Sequence, residues 1–234
     1  MKVAIHQPHY LPWLGYLAKW AEAELFIFLD TVQFEKNGWQ NRNRIYTRDG
    51  PRWLTVPVRA RLGMTLAEVP IDTGQDWGRR HLRAIEHAYA RTPNFRRWAP
   101  ALAEFYGTKW TTLAPLAVAS ASWMARTAGI TVPARLASEL PVAATDPTGR
   151  LVALCRAVGA TVYLAGRDGA KYLDVGQFRA AGIEVRAQDY AHPVYTQPQG
   201  KFVPFLSALD LLLTYGDEAL AILREGDRWS RVDA

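Results

Sequence analysis

Along the first thirty residues the apolar positions form two unbroken runs, one ending at Ile5 and one over 25–29, with Pro8 and Pro12 punctuating the stretch between them. Short runs of this kind predict strands covered on both faces. The first, over 2–5, stops at His6, and the second is closed by Asp30. Proline favours the first helical position, so a helix is expected over 12–22, after an irregular turn. Strand, helix and strand in this order predict a right-handed parallel crossover. Parallel neighbours end at one edge of a sheet, and that edge is where open α/β folds hold ligands. His6 and Asp30 are therefore expected to face one crevice.

Asp49-Gly50, between 44–47 and 53–58, has the chemistry of a hairpin turn, and Pro51 argues for a connection longer than two residues. Another short strand is expected over 68–72. Helices are expected over 76–90, 95–105 and 112–128, with Pro93 separating the first two. In the last third, Asp146-Pro147 opens a helix whose apolar positions Leu151, Leu154, Cys155 and Val158 recur at helical spacing and which Gly159 ends. Strands over 161–165 and 183–187, a short helix over 175–181 and a final helix over 203–215 complete the pattern. The expected fold is α/β: an open, mainly parallel sheet with flanking helices, a β-hairpin after the second strand and a helical middle region. One domain over 1–234 is expected, with the helical segment at about 76–128 inserted or packed alongside.

Composition narrows the class. With 49% hydrophobic and 21% charged residues in 234, the chain is rich enough in apolar surface to bury one substantial core. Its apolar runs are far shorter than the roughly 20 residues of a membrane helix. The run over 3–5 is also too short for a secretion signal, so no membrane insertion and a cytoplasmic location are expected. A single cysteine, Cys155, excludes an internal disulfide or a cysteine-rich zinc site. Its place on an apolar helix face makes it a small hydrophobe. His81 and His87 are poorly spaced for two ligands on one helical face, and no metal is expected. The net charge of +6 comes largely from scattered arginines without a dense basic run. Nucleic acid is therefore not an expected partner, whereas a phosphorylated or acidic small substrate suits the charge.

Four polar constellations stand out. His6-Gln7-Pro8-His9-Tyr10 crowds two imidazoles, an amide and a phenol into the strand-to-helix turn, where His6 is a candidate base. The stretch from Asp30 to Arg44 holds Gln33, Lys36, Trp39, Asn41, Arg42 and Asn43; amides and cations there give directional contacts to hydroxyls, carboxylates or phosphates, and Trp39 can stack on a ring. Gly166-Arg167-Asp168-Gly169 follows a strand end and leads to Tyr172 and Asp174, but it lacks the spacing of a phosphate loop. Tyr195 and Gln197 mark a polar-aromatic loop, and Asp210 sits among leucines on the final helix, where a buried carboxylate needs a partner.

Several strings together carry a family resemblance: Ile5-His6-Gln7-Pro8, Tyr10-Leu11-Pro12-Trp13-Leu14-Gly15-Tyr16, Leu29-Asp30 with Val32-Gln33-Phe34, and Trp39-Gln40-Asn41-Arg42-Asn43. With Trp53-Leu54-Thr55-Val56-Pro57-Val58, Tyr172-Leu173-Asp174, Tyr195, Gln197 and Leu209-Asp210, they resemble WbqC-like proteins over essentially the whole chain. One departure is Ala165 before Gly166, where many relatives are expected to carry serine. The resemblance implies biosynthetic work on surface sugars or other small molecules, with acyl or aminoacyl transfer to an amine as the expected reaction. The expected partners are small: a nucleotide-linked amino sugar or a carrier-bound acyl donor. In that scheme His6 is the base, Asp30 orients it, Asn41, Arg42 and Asn43 hold an acyl or phosphate portion, and Trp39 holds a ring.

Two other readings stay open. The strand, turn and helix are loosely reminiscent of nucleotidylyltransferases and of ligases that use ATP as cosubstrate, although Trp13-Leu14-Gly15-Tyr16 lacks the two histidines those enzymes place around a glycine. The polar loops would equally serve a noncatalytic module that binds a sugar or a partner protein.

Overall fold

In the computed structural model, which describes residues 1–143, 146–167 and 169–233, the chain enters as β1 (Lys2–His6), crosses through α1 (Leu14–Glu22) and returns as β2 (Leu25–Phe28). β1 and β2 run parallel, with Val3 opposite Leu25 and His6 opposite Phe28. The helix begins two residues later than Pro12 suggests, because Leu11 is left-handed at φ 46° and Trp13 is extended. Asn43 Nδ2 donates to Leu11 O at 2.6 Å, and Leu11 N donates to Ser120 Oγ at 3.1 Å. These bonds hold a conformation that a branched residue otherwise avoids.

β3 (Arg42–Thr47) and β4 (Gly50–Thr55) form a separate antiparallel ribbon in which Thr47 faces Gly50. The connection is thus Arg48-Asp49, two residues rather than the longer turn expected from Pro51, and Gly50 supplies a φ of 104°. The helical middle region follows as α2 (Trp77–Tyr89), α3 (Phe95–Gly107) and α4 (Leu113–Thr127). The strand expected over 68–72 reduces to isolated bridges, Val58 with Ile71 and Pro70 with Thr112. Pro70 has no N–H to extend a ladder.

The sheet then resumes with β5 (Ala134–Leu136), α5 (Pro147–Ala157), β6 (Val162–Ala165), α6 (Val175–Ala180) and β7 (Glu184–Gln188), and the chain ends with α7 (Leu209–Tyr215), α8 (Ala219–Glu225) and β8 (Trp229–Arg231). The last long helix starts at Leu209 rather than 203, because Phe205 sits at φ 59°. Asp146 caps α5 by accepting from Gly149 N at 2.8 Å.

The strand order is β5-β2-β1-β6-β7-β8, parallel except for β8. From β1 the chain moves outward to β2, while from β6 it moves outward the other way to β7. The winding therefore reverses between β1 and β6, and the chain leaves the carboxyl ends of these two strands toward opposite faces, to α1 on one and α6 on the other, which leaves a crevice between them. Side chains alternate across the sheet. Ala4, Phe26, Phe28 and Leu164 pack with Leu14, Leu17 and Trp20 of α1 on one face. Val3, Ile5, Ile27 and Tyr163 pack with Leu154, Cys155 and Phe178 on the other. His6, two residues after Ala4, follows onto the α1 face. Among the described residues no helix is long and apolar enough to cross a membrane.

Candidate functional site

A cavity of about 410 Å³ opens at the reversal between β1 and β6. His6 comes from the end of β1, Gly166 and Arg167 from the end of β6, and Gln188 and Tyr190 from the end of β7. Gly15, Tyr16 and Lys19 line it from α1, His9 and Trp13 from the turn before that helix, and Trp39 and Phe205 from two distant loops. The floor is imidazole, phenol and amine; the rim is aromatic.

His6 Nδ1 lies 3.1 Å from Gln7 O. A carbonyl oxygen only accepts, so Nδ1 carries the proton in the neutral ring and the lone pair is left on Nε2. Burial pushes the His6 pKa well below its usual value, with the positive neighbours Lys19 and His9 adding to the effect. The ring is therefore neutral at pH 7. His9 stands edge-on to it with centroids 4.7 Å apart, and Tyr16 lies 4.6 Å from His6 and donates its hydroxyl to Gln7 O at 3.2 Å. Burial, then Lys19, lowers the His9 pKa to about 3. Lys19 is 2% exposed, and burial lowers its pKa to about 7. Gly15 is required where it stands, since a Cβ there would fall 2.2 Å from the Trp13 indole.

Of the residues singled out in the sequence, His6, His9, Trp39 and Gly166 meet at this cavity. Asp30 does not. Its carboxylate accepts from Ser138 N at 3.0 Å and Ser138 Oγ at 2.6 Å, tying the end of β2 to the turn after β5. The expected crevice between β1 and β2 is displaced because the winding reverses on the other side of β1, and the orienting partner of His6 is a backbone carbonyl. Asp30→Ala is expected to cost about 2–4 kcal/mol of stability, from charge-assisted bonds lost and polar groups stranded, and to leave the rate per folded molecule unchanged. Urea unfolding and an activity assay at matched folded concentration check both parts.

The amide-rich segment also spends its polar groups on the chain itself. Asn41 Nδ2 donates to Val56 O at 2.8 Å, and Asn43 holds Leu11 as described. Gln7 Oε1 accepts from Gln40 Nε2 at 2.7 Å, and Gln40 Oε1 accepts from Glu35 N at 2.8 Å. Arg42 donates to Gly38 O and Asn37 O and lies 4.4 Å over the Trp53 ring. Gln33 and Lys36 are exposed and outside the cavity lining. Tyr10 is fully buried, its hydroxyl 2.6 Å from Tyr106 Oη and 2.9 Å from His81 Nδ1, where it pins the turn to α2 and α3.

The remaining candidates lie elsewhere. Tyr172 is exposed, Asp174 caps α6 by accepting from Gly176 N at 3.0 Å, and Asp168 lies outside the described residues. Tyr195 donates to Asp210 Oδ2 at 3.1 Å within the core, and Gln197 clamps Val203 through bonds of 2.7 and 2.9 Å. Burial raises the Asp210 pKa to about 6. Among the described residues no group of acidic, histidine or cysteine side chains is arranged to hold a metal.

Lys19, Gln188, Tyr190 and Phe205 are the lining residues whose chemistry was not anticipated. Lys19 had a signal: Leu14 to Trp20 is apolar on every side apart from this one charge, and a helix apolar all round is buried.

Sheet order and cavity together define an open-sheet α/β protein with a polar pocket at its switch point. The chain belongs to the WbqC-like protein family, whose family model matches residues 7–222. It is 38% identical over 228 residues to the uncharacterized protein Rv1507c of Mycobacterium tuberculosis, covering 95% of this chain and 97% of that one. No solved structure matches the chain significantly.

Proposed function

We propose that this cavity is the active site of a biosynthetic enzyme that transfers an acyl or aminoacyl group to the amine of a small molecule, such as an amino sugar, and so forms an amide. The observation that carries the proposal is His6: a neutral imidazole whose Nδ1 is tied to Gln7 O and whose Nε2 is left with its lone pair in the cavity wall. A general base for an amine must be unprotonated at working pH, and burial achieves that here.

The amine nitrogen attacks the carbonyl carbon of an activated acyl donor, the new C–N bond forms, and the carbonyl electron pair moves onto oxygen. His6 Nε2 takes the proton released by the nitrogen. When the carbonyl re-forms, the bond to the donor's leaving group breaks and that group departs with the proton from His6. Trp13, Trp39 and Phe205 supply flat apolar surface at the rim for the body of a substrate. Activated donors of this kind are made in the cytoplasm, which is where the proposal places the protein.

The test is an incubation with thioester acyl donors and primary-amine acceptors, amino sugars included, read by mass spectrometry. An amide whose appearance requires donor, acceptor and protein is expected. Binding of donors and acceptors without product in every combination would instead leave a binding module.

A further inference from the structure

The scheme above leaves Lys19 without a task. Its Nζ donates to Ile5 O at 2.9 Å, which uses one of three N–H groups. The residue nevertheless lines the cavity, one helical turn after Gly15. The end of β6 comes close to it, a Cβ on Gly166 falling 3.9 Å from Nζ, an ordinary contact distance. His6 from β1 and His9 from the turn feel its charge, and Tyr16 from its own helix and Arg167 from the loop after β6 line the same cavity. No aspartate or glutamate is among the described residues of the lining. Asp227 is reached only through Gln188 of β7, whose Nε2 lies 3.1 Å from both Asp227 Oδ1 and Gly15 O.

A buried cation with no carboxylate among the described residues of its cavity is costly, and a sequence that only needed to bridge to Ile5 O could have done so with a neutral side chain. A second unspent group sits beside it: His9 Nδ1 is buried with no hydrogen-bond partner among the described residues, although His9 lines the same cavity. Buried polar atoms in native structures are nearly always satisfied. The uncompensated charge is answered if a negatively charged group enters the cavity beside Nζ, with the His9 ring on the same wall.

We propose that Lys19, with His9 and Arg167, forms an oxyanion subsite that takes the phosphate or carboxylate group of the substrate, an inference that rests on this cavity being the substrate site but not on amide chemistry. The anion accepts a charge-assisted bond from Nζ and an N–H from the His9 ring. Its organic remainder then runs outward along the Trp13, Trp39 and Phe205 rim, past His6.

Proton linkage supports the same assignment. Lys19, at about pH 7 without ligand, is the member of the cluster that changes charge near neutrality. His6 and His9 titrate far lower and Tyr16 far higher. An anion binds the ammonium and not the amine, so affinity falls as pH rises through about 7.

The test is calorimetric titration with sulfate, a phosphate-ester surrogate of constant charge, and separately with acetate. Wild-type protein and Lys19→Met are compared from about pH 6 to about pH 8.5, a range in which an amine of pKa about 7 passes from almost wholly to only slightly protonated. One of the two anions is expected to bind wild type and to weaken about tenfold or more across that range and in Lys19→Met. Preference for sulfate assigns a phosphate ester, and preference for acetate a carboxylate. Lys19→Met is expected to melt no lower than wild type, since an unbranched apolar side chain replaces a buried charge. If that variant does not fold, the pH profile of wild type decides. No binding of either anion, or binding that is flat with pH and unaltered by Lys19→Met, overturns the subsite. Anion binding through Lys19 together with failure of the amide assay retains the subsite and removes the chemistry.

Discussion

His6→Gln is expected to lower amide formation by about 10²–10⁴-fold while leaving the thermal midpoint close to that of wild type. Glutamine is near the imidazole in length and can still donate to Gln7 O, so the bond that fixes the turn has a replacement; what it lacks is a basic lone pair. Because His6 titrates well below 6.5 in the folded protein, the wild-type rate at saturating substrate, referred to the unprotonated fraction of the amine, should remain level as pH falls from about 7 to about 6. A solvent-exposed imidazole would already be losing activity there. A variant with wild-type turnover, or a wild-type rate that still halves near pH 6.5 at saturation and after allowance for protonation of the amine, removes His6 as the base.

The second large effect concerns acid stability. In the unfolded chain His9 takes up a proton near 6.5, but in the folded protein it does so only near 3. Its contribution to stability is thus complete above 6.5 and is lost as pH falls toward 3, up to about 5 kcal/mol over the whole interval. His6 works in the same direction. Asp210 works in the opposite one: its folded pKa of about 6 lies above the 3.8 of the unfolded carboxyl, so protonation between those values favours the fold, by up to about 3 kcal/mol. The histidines outweigh it, and net loss on acidification is expected. His9→Phe, whose larger ring has the adjoining cavity to occupy, should show a smaller fall in urea stability between pH 7 and pH 4, by several kcal/mol. Equal falls in wild type and variant would show that His9 is not held neutral by burial.

The crossover from β1 to β2 was legible because apolar runs, prolines and a helix of ordinary length fell in an order with one parallel solution. β5 and β8 were not, since three residues such as Ala134–Leu136 carry no period. That omission bears directly on the site. Without β5 there is no Ser138 for Asp30, and without the position of β6 beside β1 nothing shows on which side of β1 the crevice opens. His6 and Gly166 fall at the cavity because both stand at strand ends on one edge of the sheet, whichever neighbour proves adjacent. Asn41 and Asn43 bond backbone carbonyls for a general reason that their residue types do not show: a buried segment beside strands has backbone groups to satisfy, and its own amides are the nearest donors. Weighing charges in sum passes over Lys19, the one charge in the otherwise apolar stretch from Leu14 to Trp20 and so the one with nowhere exposed to go.

Leu11 is held in its left-handed conformation by one bond from the ribbon and another from α4. The pocket is therefore assembled from parts of the chain that meet only when the ribbon and the helical region have both docked. Loosening the ribbon would remove the bond from Asn43 to Leu11, one of the two ties on the turn that carries His9 and Trp13. Occupancy of the pocket consequently draws on cohesion supplied at a distance, and a bound ligand returns it by slowing the opening of the ribbon, a segment it need never touch.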